Sequence, residues 1–354
     1  MSLTPRERVL AALHHREADR VPFTDNPWET TVRRWRREGL PPDVTPEEQF
    51  EFEFVGHWPD NSLMFEPEVL EETDDFVIAR DKNGVTMKNW KSETSTPGLL
   101  GFDLTTPERW EELRPRLTFT PERLPAAEDR VRHARARDAG KFVHLAVVVG
   151  YDLLSSTVGP ETLLMAMAMN PDWVHDMFRT YIDLTIACAE EMLAAGYEFD
   201  GAWVFDDLGY CNGPFFSPAM YRELLFPEHR RLCDFLHGRG WKVILHSCGN
   251  VKMHIPALIE AGFDCLQPLE VKAGMDVIEL KRDFGDRLAL MGGIDVRAMA
   301  AEDPAVIEEE IRSKVTFAKR GGGYIFHSDH SIPDNVSFQR YTRIRELVME
   351  HGRF

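Results

Sequence analysis

The chain has 354 residues, of which 43% are apolar and 10% aromatic. This length and composition suffice for one large α/β domain or two smaller ones, and they argue against a disordered chain. The 59 acidic residues outnumber the 41 basic ones, so the net charge is −18. A charge of this sign argues against nucleic acid or an anionic membrane surface as a partner.

The cysteines favour a reducing compartment. They are odd in number, irregularly spaced and without a CxxC pair, which does not fit a disulfide framework: Cys188, Cys211, Cys233, Cys248 and Cys265. The start "MSLTPRERVL" lacks the apolar stretch of a signal peptide. No apolar run approaches the roughly 20 residues that span a bilayer, so we predict a cytoplasmic protein.

The first part of the chain, residues 1–140, gives few regular patterns. An amphipathic helix is predicted over residues 4–16, with Thr4 as its N-cap, and "RVPF" (20–23) is a candidate first strand. Residues 27–75 are expected to be irregular. Asn83-Gly84 separates two strand-like runs and predicts a β-hairpin, and residues 98–140 are polar and helix-prone.

From residue 141 to residue 354, apolar strands alternate with helices. The predicted strands cover 142–150, 201–207, 242–248, 264–270, 288–295 and 322–330. Such an alternation is typical of a parallel sheet covered on both faces. With one or two further strands from the first part, the sheet would close into a (β/α)8 TIM barrel with N-terminal helical and hairpin additions, as a single domain over 1–354. A doubly wound open sheet is the alternative, but no GxGxxG follows the first strand.

Polar residues stand at the carboxyl ends of these strands, which meet on one face of a barrel, where active sites form. In chain order they are Tyr151-Asp152, Asp206-Asp207, His246-x-Cys248, Glu270, Gly292-Gly293-x-Asp295 and His327-x-Asp329-His330. Each also has a structural interpretation. Asp206 or Asp207 could cap the next helix, Asp295 could form an Asx turn, and Asp152 could simply be solvated.

The pair His246-x-Cys248 is a weak metal signal by itself. Side chains two apart on a strand share a face, so both could reach one ion, but free cysteine is also among the most buried residue types. A catalytic zinc needs a third protein ligand and an open position. His330 and His327 are the candidates for that ligand. His144, in mid-strand, is predicted to be a satisfied core histidine.

The chain resembles the uroporphyrinogen decarboxylase superfamily over nearly its whole length. The resemblance rests on "TPRERVLAALHHREADRVPF", "SPAMYRELLFPEHRRL" and "HSCGNVKMHIPALIEAGFDCLQPLE…GDRLALMGGID". It implies a (β/α)8 barrel, often dimeric. The superfamily contains cofactor-free decarboxylases and zinc methyltransferases that act with corrinoid proteins.

The decarboxylase branch fits less well. Its M-R-Q-A-G-R signature, which holds the substrate's carboxylates, is missing after "VPF", and its F-S-D-I stretch is not recognisable. The four arginines that follow have the spacing of a solvated helix face: Arg33, Arg34, Arg36 and Arg37. A tetracarboxylate porphyrinogen is therefore not the expected substrate.

The methyltransferase branch binds zinc through His-x-Cys and a distant cysteine. His246 and Cys248 match the first two ligands, and His330 stands where the cysteine is expected. One thiolate and two imidazoles would leave the zinc site with a charge of about +1, whereas two thiolates and one imidazole would leave it neutral. A more positive zinc holds a bound thiolate more tightly. We therefore hypothesise that the acceptor need not be a thiol.

The resemblance predicts a zinc-dependent methyltransferase that moves a methyl group between a small substrate and a corrinoid. Because the chain has no D-x-H-x-x-G segment, the corrinoid would arrive on a partner protein, and a homodimer is expected. The assigned roles are metal ligands (His246, Cys248, His330), catalytic carboxylates (Asp206, Asp207, Glu270) and substrate contacts (Tyr151, Asp152, Asp295, His327). The alternatives are a cofactor-free decarboxylase or lyase and a barrel that binds a ligand without turnover.

Overall fold

The computed structural model describes residues 3–92 and 97–354. Over these ranges the strands are β1 (Phe54–His57), β2 (Glu68–Glu72), β3 (Phe76–Arg80), β4 (Val85–Trp90), β5 (Gly98–Phe102), β6 (Phe142–Val148), β7 (Gly201–Phe205), β8 (Gly209–Tyr210), β9 (Gly213–Pro214), β10 (Lys242–His246), β11 (Cys265–Gln267), β12 (Ala289–Met291) and β13 (Tyr324–Ile325).

The helices lie mostly in the second part of the chain. They are α1 (Pro5–Leu13), α2 (Glu29–Glu38), α3 (Pro46–Gln49), α4 (Pro107–Leu113), α5 (Ala127–Asp138), α6 (Gly150–Val158), α7 (Pro160–Met169), α8 (Pro171–Ala194), α9 (Pro218–Met220), α10 (Phe226–His237), α11 (Ile255–Ala261), α12 (Val277–Phe284), α13 (Val296–Met299), α14 (Pro304–Ala318) and α15 (Phe338–His351). None of the helices so described is long and apolar enough to cross a membrane.

The central sheet is parallel and curls into a (β/α)8 TIM-type barrel, as the sequence predicts. Its strand order is β1-β6-β7-β10-β11-β12-β13. The segment 20–23 lies between the two edges. Phe23 forms a parallel bridge with Phe326, whose N–H donates to the carbonyl of Pro22 at 2.9 Å, and the N–H of Glu53 donates to the carbonyl of Phe23 at 3.1 Å. The candidate first strand thus completes the barrel, although it pairs over few residues.

The interior of the barrel is filled by side chains from alternate strand positions, as expected when successive residues point to opposite faces. The helix α1 begins at Pro5, where a capping box between Thr4 and Glu7 satisfies its first N–H groups. Its apolar residues pack against the barrel interior. The buried interior cluster contains Val9, Ala12, Leu13, Phe54, Phe142, Ile244, Cys265, Ala289, Met291 and Ile325.

A buried group of charges fixes α1 to the barrel. The guanidinium of Arg8 contacts Glu53 at 2.5 Å and Asp19 at 2.7 Å, and Arg20 contacts Glu53 at 2.6 Å. The Glu53 side chain is 1% exposed. The hydrogen bonds from Arg8 lower the pKa of Asp19 to about 2. Three segments that are distant in sequence therefore meet at one carboxylate.

Residues 27–75 are more regular than predicted. They contain α2, α3, β1 and β2. The barrel strand β1 was missed because it has only four residues, including Gly56, and shows no alternation of polarity. The chain between β6 and β7 forms more than one helix, since Pro160 and Pro171 each begin a new helix.

The predicted hairpin is confirmed. The strands β3 and β4 are antiparallel and are joined by the turn that contains Asn83 and Gly84, with Gly84 at a φ of 77°. Together with β2 and β5 they form a four-stranded sheet that is separate from the barrel. This sheet is the largest of the additions in the first 140 residues.

We expect Glu53→Ala to destabilise the protein by about 3 kcal/mol, because the buried Arg8 loses one of its two carboxylate partners and Arg20 loses its contact with the same carboxylate. The control is Glu68→Ala, which removes an exposed pair with Arg80 and should cost less than about 1 kcal/mol. Urea unfolding followed by circular dichroism measures both variants. Equal effects would contradict a stabilising role for the buried group.

Candidate functional site

The carboxyl ends of β7, β10 and β11 bring the predicted site residues together. His246 is in register with Phe205 on one side and with Gln267 on the other. Asp207 follows β7 by two residues, and Cys248 follows β10 by two residues. These side chains face one cavity at this end of the barrel.

Asp207, His246 and Cys248 form a group that could hold a metal ion. One potential ligand atom from each lies within 4.8 Å of the other two. Nε2 of His246 is 3.5 Å from Sγ of Cys248 and 3.5 Å from Oδ1 of Asp207. The N–H of Cys248 donates to the same Oδ1 at 2.7 Å, so the carboxylate is fixed beside the thiol. Imidazole, thiolate and carboxylate are the ligands that zinc prefers.

Gln267 orients the imidazole of His246. Its Oε1 lies 2.5 Å from Nδ1 of His246, so Nδ1 carries the proton and Nε2 presents a lone pair to Cys248 and Asp207. Burial lowers the pKa of His246, which keeps the ring neutral and able to bind a metal. Gln267 was not predicted. Its position at the end of the neighbouring strand was the signal that could have identified it.

His330 does not belong to this group, although the sequence predicts it as the third ligand. It lines the same cavity, and its ring centroid is 6.1 Å from that of Trp28. The third residue that lies close to His246 and Cys248 is Asp207, which was predicted as a catalytic carboxylate. Ligation by His330 stays a prediction.

Glu270 and Gly249 shape the turn after His246. Gly249 has a φ of 76°, and a Cβ there would lie 2.3 Å from the backbone of Gly209, so the tight turn requires glycine. Its N–H donates to Oε2 of Glu270 at 2.7 Å, and Lys272 contacts Oε1 at 3.0 Å. Glu270, predicted as catalytic, lies behind the turn and outside the lining of the cavity.

Asp206 is buried away from the cavity. Its Oδ1 accepts the N–H of Asp152 at 2.8 Å, and its Oδ2 lies 2.9 Å from Nε2 of His229. The hydroxyl of Tyr221 lies 3.0 Å from Nδ1 of the same histidine. The carboxylate therefore holds the start of α6 against α10. Of the two neighbouring aspartates, only Asp207 faces the cavity.

Only some of the residues predicted as substrate contacts line the cavity. Tyr151 is buried against Phe215, with ring centroids 5.1 Å apart, and Asp295 caps α13 and pairs with Arg297 at 2.7 Å. Neither residue lines the cavity. The Asx-turn interpretation of Asp295 is thus confirmed.

His327 does line the cavity. Its Nδ1 lies 2.7 Å from the carbonyl of Ser328 and 3.6 Å from Oδ1 of Asp25. Asp25 was not predicted as a site residue; it is 8% exposed and accepts a hydrogen bond from the hydroxyl of Tyr341 at 2.9 Å. Barrel closure brings the segment after residue 23 to the end of β13.

An aromatic wall runs along the cavity, whose volume is about 1310 Å³. The ring of Phe205 is 4.9 Å from that of His246, 5.6 Å from Trp203 and 5.0 Å from Trp58, centroid to centroid. These aromatic residues were not predicted as site residues. Trp203 and Phe205 alternate on β7, which is the spacing that places both on the inner face.

His144 also lines the cavity, and its interpretation as a satisfied core histidine is wrong. Its Nδ1 is buried and has no hydrogen-bond partner among the described residues. The ring is 5.4 Å from that of Trp203. Burial lowers the pKa of His144 to about 3, so the ring is neutral at physiological pH.

The comparisons with known proteins agree with this fold. A barrel with polar residues at the carboxyl ends of its strands defines a class of enzyme scaffolds. Residues 83–351 match the family model described as "Uroporphyrinogen decarboxylase (URO-D)". The chain belongs to this family.

The curated relatives are distant. The uroporphyrinogen decarboxylase of Pectobacterium atrosepticum is 28% identical over 174 residues, which is 48% of this chain and 46% of the relative. That of Methylococcus capsulatus is 25% identical over 184 residues, or 52% and 50%. The chain thus matches about half the length of these relatives.

Among solved structures, a methyltransferase from Methanosarcina mazei is similar over 99% of this chain and 98% of that chain. The TM-score is 0.63 and the identity 15%. This similarity shows a shared fold.

Asp152 generates a prediction about pH. Burial, followed by the charges of Asp207 and Asp206, raises the pKa of Asp152 from 3.8 to about 8. The folded state therefore retains a proton that the unfolded chain loses above pH 3.8, and stability falls as the pH rises from about 4 to 8. We expect Asp152→Asn to gain stability relative to the wild type over this range.

Urea unfolding at pH 4.5, 6 and 8 measures this difference, with Asp286→Asn, at a side chain that is 78% exposed, as the control. A relative stability of Asp152→Asn that does not change with pH would show that the carboxyl is not perturbed.

Proposed function

We propose that the protein is a zinc-dependent methyltransferase-like enzyme that transfers a methyl group between a small substrate and a corrinoid carrier protein. The observation that supports zinc is the group of Asp207, His246 and Cys248, whose ligand atoms lie within 4.8 Å of one another beside an open cavity. The corrinoid carrier, a homodimeric state and a cytoplasmic location remain parts of this proposal.

The residues fit a zinc ion in their chemistry. They offer one nitrogen, one sulfur and one oxygen ligand, which is the number a catalytic zinc takes from the protein while leaving one position open. The contact of His246 with Gln267 is the support that a metal-bound imidazole usually has. When bound, zinc would activate the methyl acceptor as a Lewis acid.

The ligand set determines the charge of the site. Zn²⁺ with the thiolate of Cys248, the carboxylate of Asp207 and neutral His246 would have no net charge, whereas His330 in place of Asp207 would leave about +1. With the Asp207 set, the charge argument behind the hypothesis that the acceptor need not be a thiol no longer applies. A neutral site holds a bound thiolate less tightly, which leaves the thiolate more nucleophilic.

The chain's own residues have separate tasks in this proposal. Gln267 and Asp207 orient His246 and the backbone of Cys248, and the wall formed by Phe205 and Trp203 excludes water from the reacting group. Asp152, whose pKa is raised to about 8, stays protonated at neutral pH.

The alternative is a decarboxylase or lyase that acts on a carboxylated substrate without a cofactor. The family model and the names of the curated relatives favour it. A carboxylated substrate would need cationic side chains to bind its carboxylates. The arginines of the cavity lining, Arg132 and Arg135, lie on α5, whereas the metal-binding group and the aromatic wall lie beside His246.

Metal analysis tests the ligand set. We expect about one zinc per chain in the wild type and a loss of zinc in His246→Ala, Cys248→Ser and Asp207→Asn, because each variant removes a ligand. His330→Ala should retain zinc. Cys211→Ser, which removes an exposed thiol outside the cavity, is the control.

The outcomes separate the two ligand sets. Zinc that is lost in His330→Ala and kept in Asp207→Asn would establish the set predicted from the sequence. A wild type that folds and binds no zinc would remove the metal from the proposal.

The reaction is tested with methylcobalamin and a small thiol such as 2-mercaptoethanol. We expect the zinc-loaded wild type to demethylate methylcobalamin, followed by its absorbance, and His246→Ala to be at least about 100-fold slower. Glu68→Ala serves as the active control. No absorbance change with the wild type, together with release of CO2 from a carboxylic acid, would favour the decarboxylase.

A further inference from the structure

Two buried polar atoms near the aromatic wall have no partner. They are Nδ1 of His144 and Nε1 of Trp203, and neither makes a hydrogen bond within the described ranges. The two rings are neighbours, with centroids 5.4 Å apart, and both residues line the cavity. An unsatisfied buried polar group destabilises the folded protein. Two of them side by side in a cavity indicate a position where a ligand supplies the missing hydrogen bonds.

The rings between this position and the metal-binding group form a continuous strip. His144 contacts Trp203, Trp203 stacks on Phe205 with an interplanar angle of 17°, and Phe205 contacts His246 at 4.9 Å. Phe54 lies on the same side, 5.8 Å from Trp203. A surface of this kind favours a flat, apolar ligand body, since aromatic rings stack in offset or tilted arrangements at these distances.

The charges around His144 favour an uncharged group. Burial keeps the imidazole of His144 neutral, and the indole of Trp203 can only donate a hydrogen bond. Arg132, whose charge acts on His144, is already paired with Asp129 at 2.8 Å and donates to the carbonyl of Gly56 at 2.6 Å. A carboxylate bound beside these two nitrogens would lose its hydration, and the guanidinium of Arg132 is already engaged.

We propose that His144 and Trp203 bind the end of the substrate that lies away from the metal-binding group, and that this end is an uncharged oxygen, such as an amide or ketone carbonyl, on an aromatic ring. This inference rests on the proposed function in one respect, because it takes the same cavity as the place where the substrate binds. His144 and Trp203 are binding and specificity residues, and they take no part in methyl transfer.

The test uses three probes of similar shape: benzamide, benzoate and toluene. Ligand-detected NMR titration of the full chain gives a dissociation constant for each. We expect benzamide to bind about tenfold more tightly than the other two, because only it offers a neutral carbonyl. His144→Phe and Trp203→Phe keep a ring but remove the nitrogen, and each should abolish most of this preference.

Two further variants test whether misfolding, rather than the loss of the nitrogen, explains a lost preference for benzamide. His144→Asn places an amide near the position of Nδ1 and should restore the preference for benzamide. His254→Phe is the matched control, because His254 is also buried with both ring nitrogens unpartnered in the described part of the chain but lies outside the cavity. It should leave all three dissociation constants unchanged.

The inference is overturned if the wild type binds benzoate or toluene as tightly as benzamide, or if neither ring variant changes the preference. Zinc content measured on the same samples tests the proposed function separately. Benzamide binding that persists in zinc-free His246→Ala keeps this inference even where the metal site fails.

Discussion

The site depends on the parallel register between β10 and its two neighbours. Because strand side chains alternate between faces, His246 and Cys248 point to the cavity, while Ser247 between them points away and accepts the N–H of Leu208 at 2.9 Å. The same register places Gln267 beside the imidazole and Phe205 on its other side. A shift by one residue would exchange Ser247 for both ligands, so barrel packing and metal chemistry impose the same constraint.

The barrel and the His246-x-Cys248 pair were predictable because both are local patterns. Apolar strands alternate with helices, and the polar pair ends one of these strands. The third member of the metal-binding group, Asp207, could not be identified in this way, because a position at the end of a strand does not determine where the side chain points. Asp206 and Asp207 are adjacent, yet Asp206 turns toward His229 and Asp207 toward Cys248. Position along the chain could not separate them, and the burial of His229 in α10 was the missing information.

The failure to predict β1 within residues 27–75 has a related cause. The strand has only four residues, and its apolar pattern is too brief to show a period. His144 shows the opposite error. A histidine in an apolar strand was interpreted as core, although Gly56 opposite it in the register has no side chain and the ring faces a cavity.

The bridge between Phe23 and Phe326 makes the last strand of the barrel the partner of the first. During synthesis the segment 20–23 leaves the ribosome early, but it cannot form this pairing until almost the whole chain has followed. Arg8, Arg20 and Glu53 can assemble in the meantime, because they lie within the first 53 residues. The cavity wall that holds Asp25 and His327 is therefore completed last, so that a nascent chain can carry His246 and Cys248 before it has an enclosed pocket.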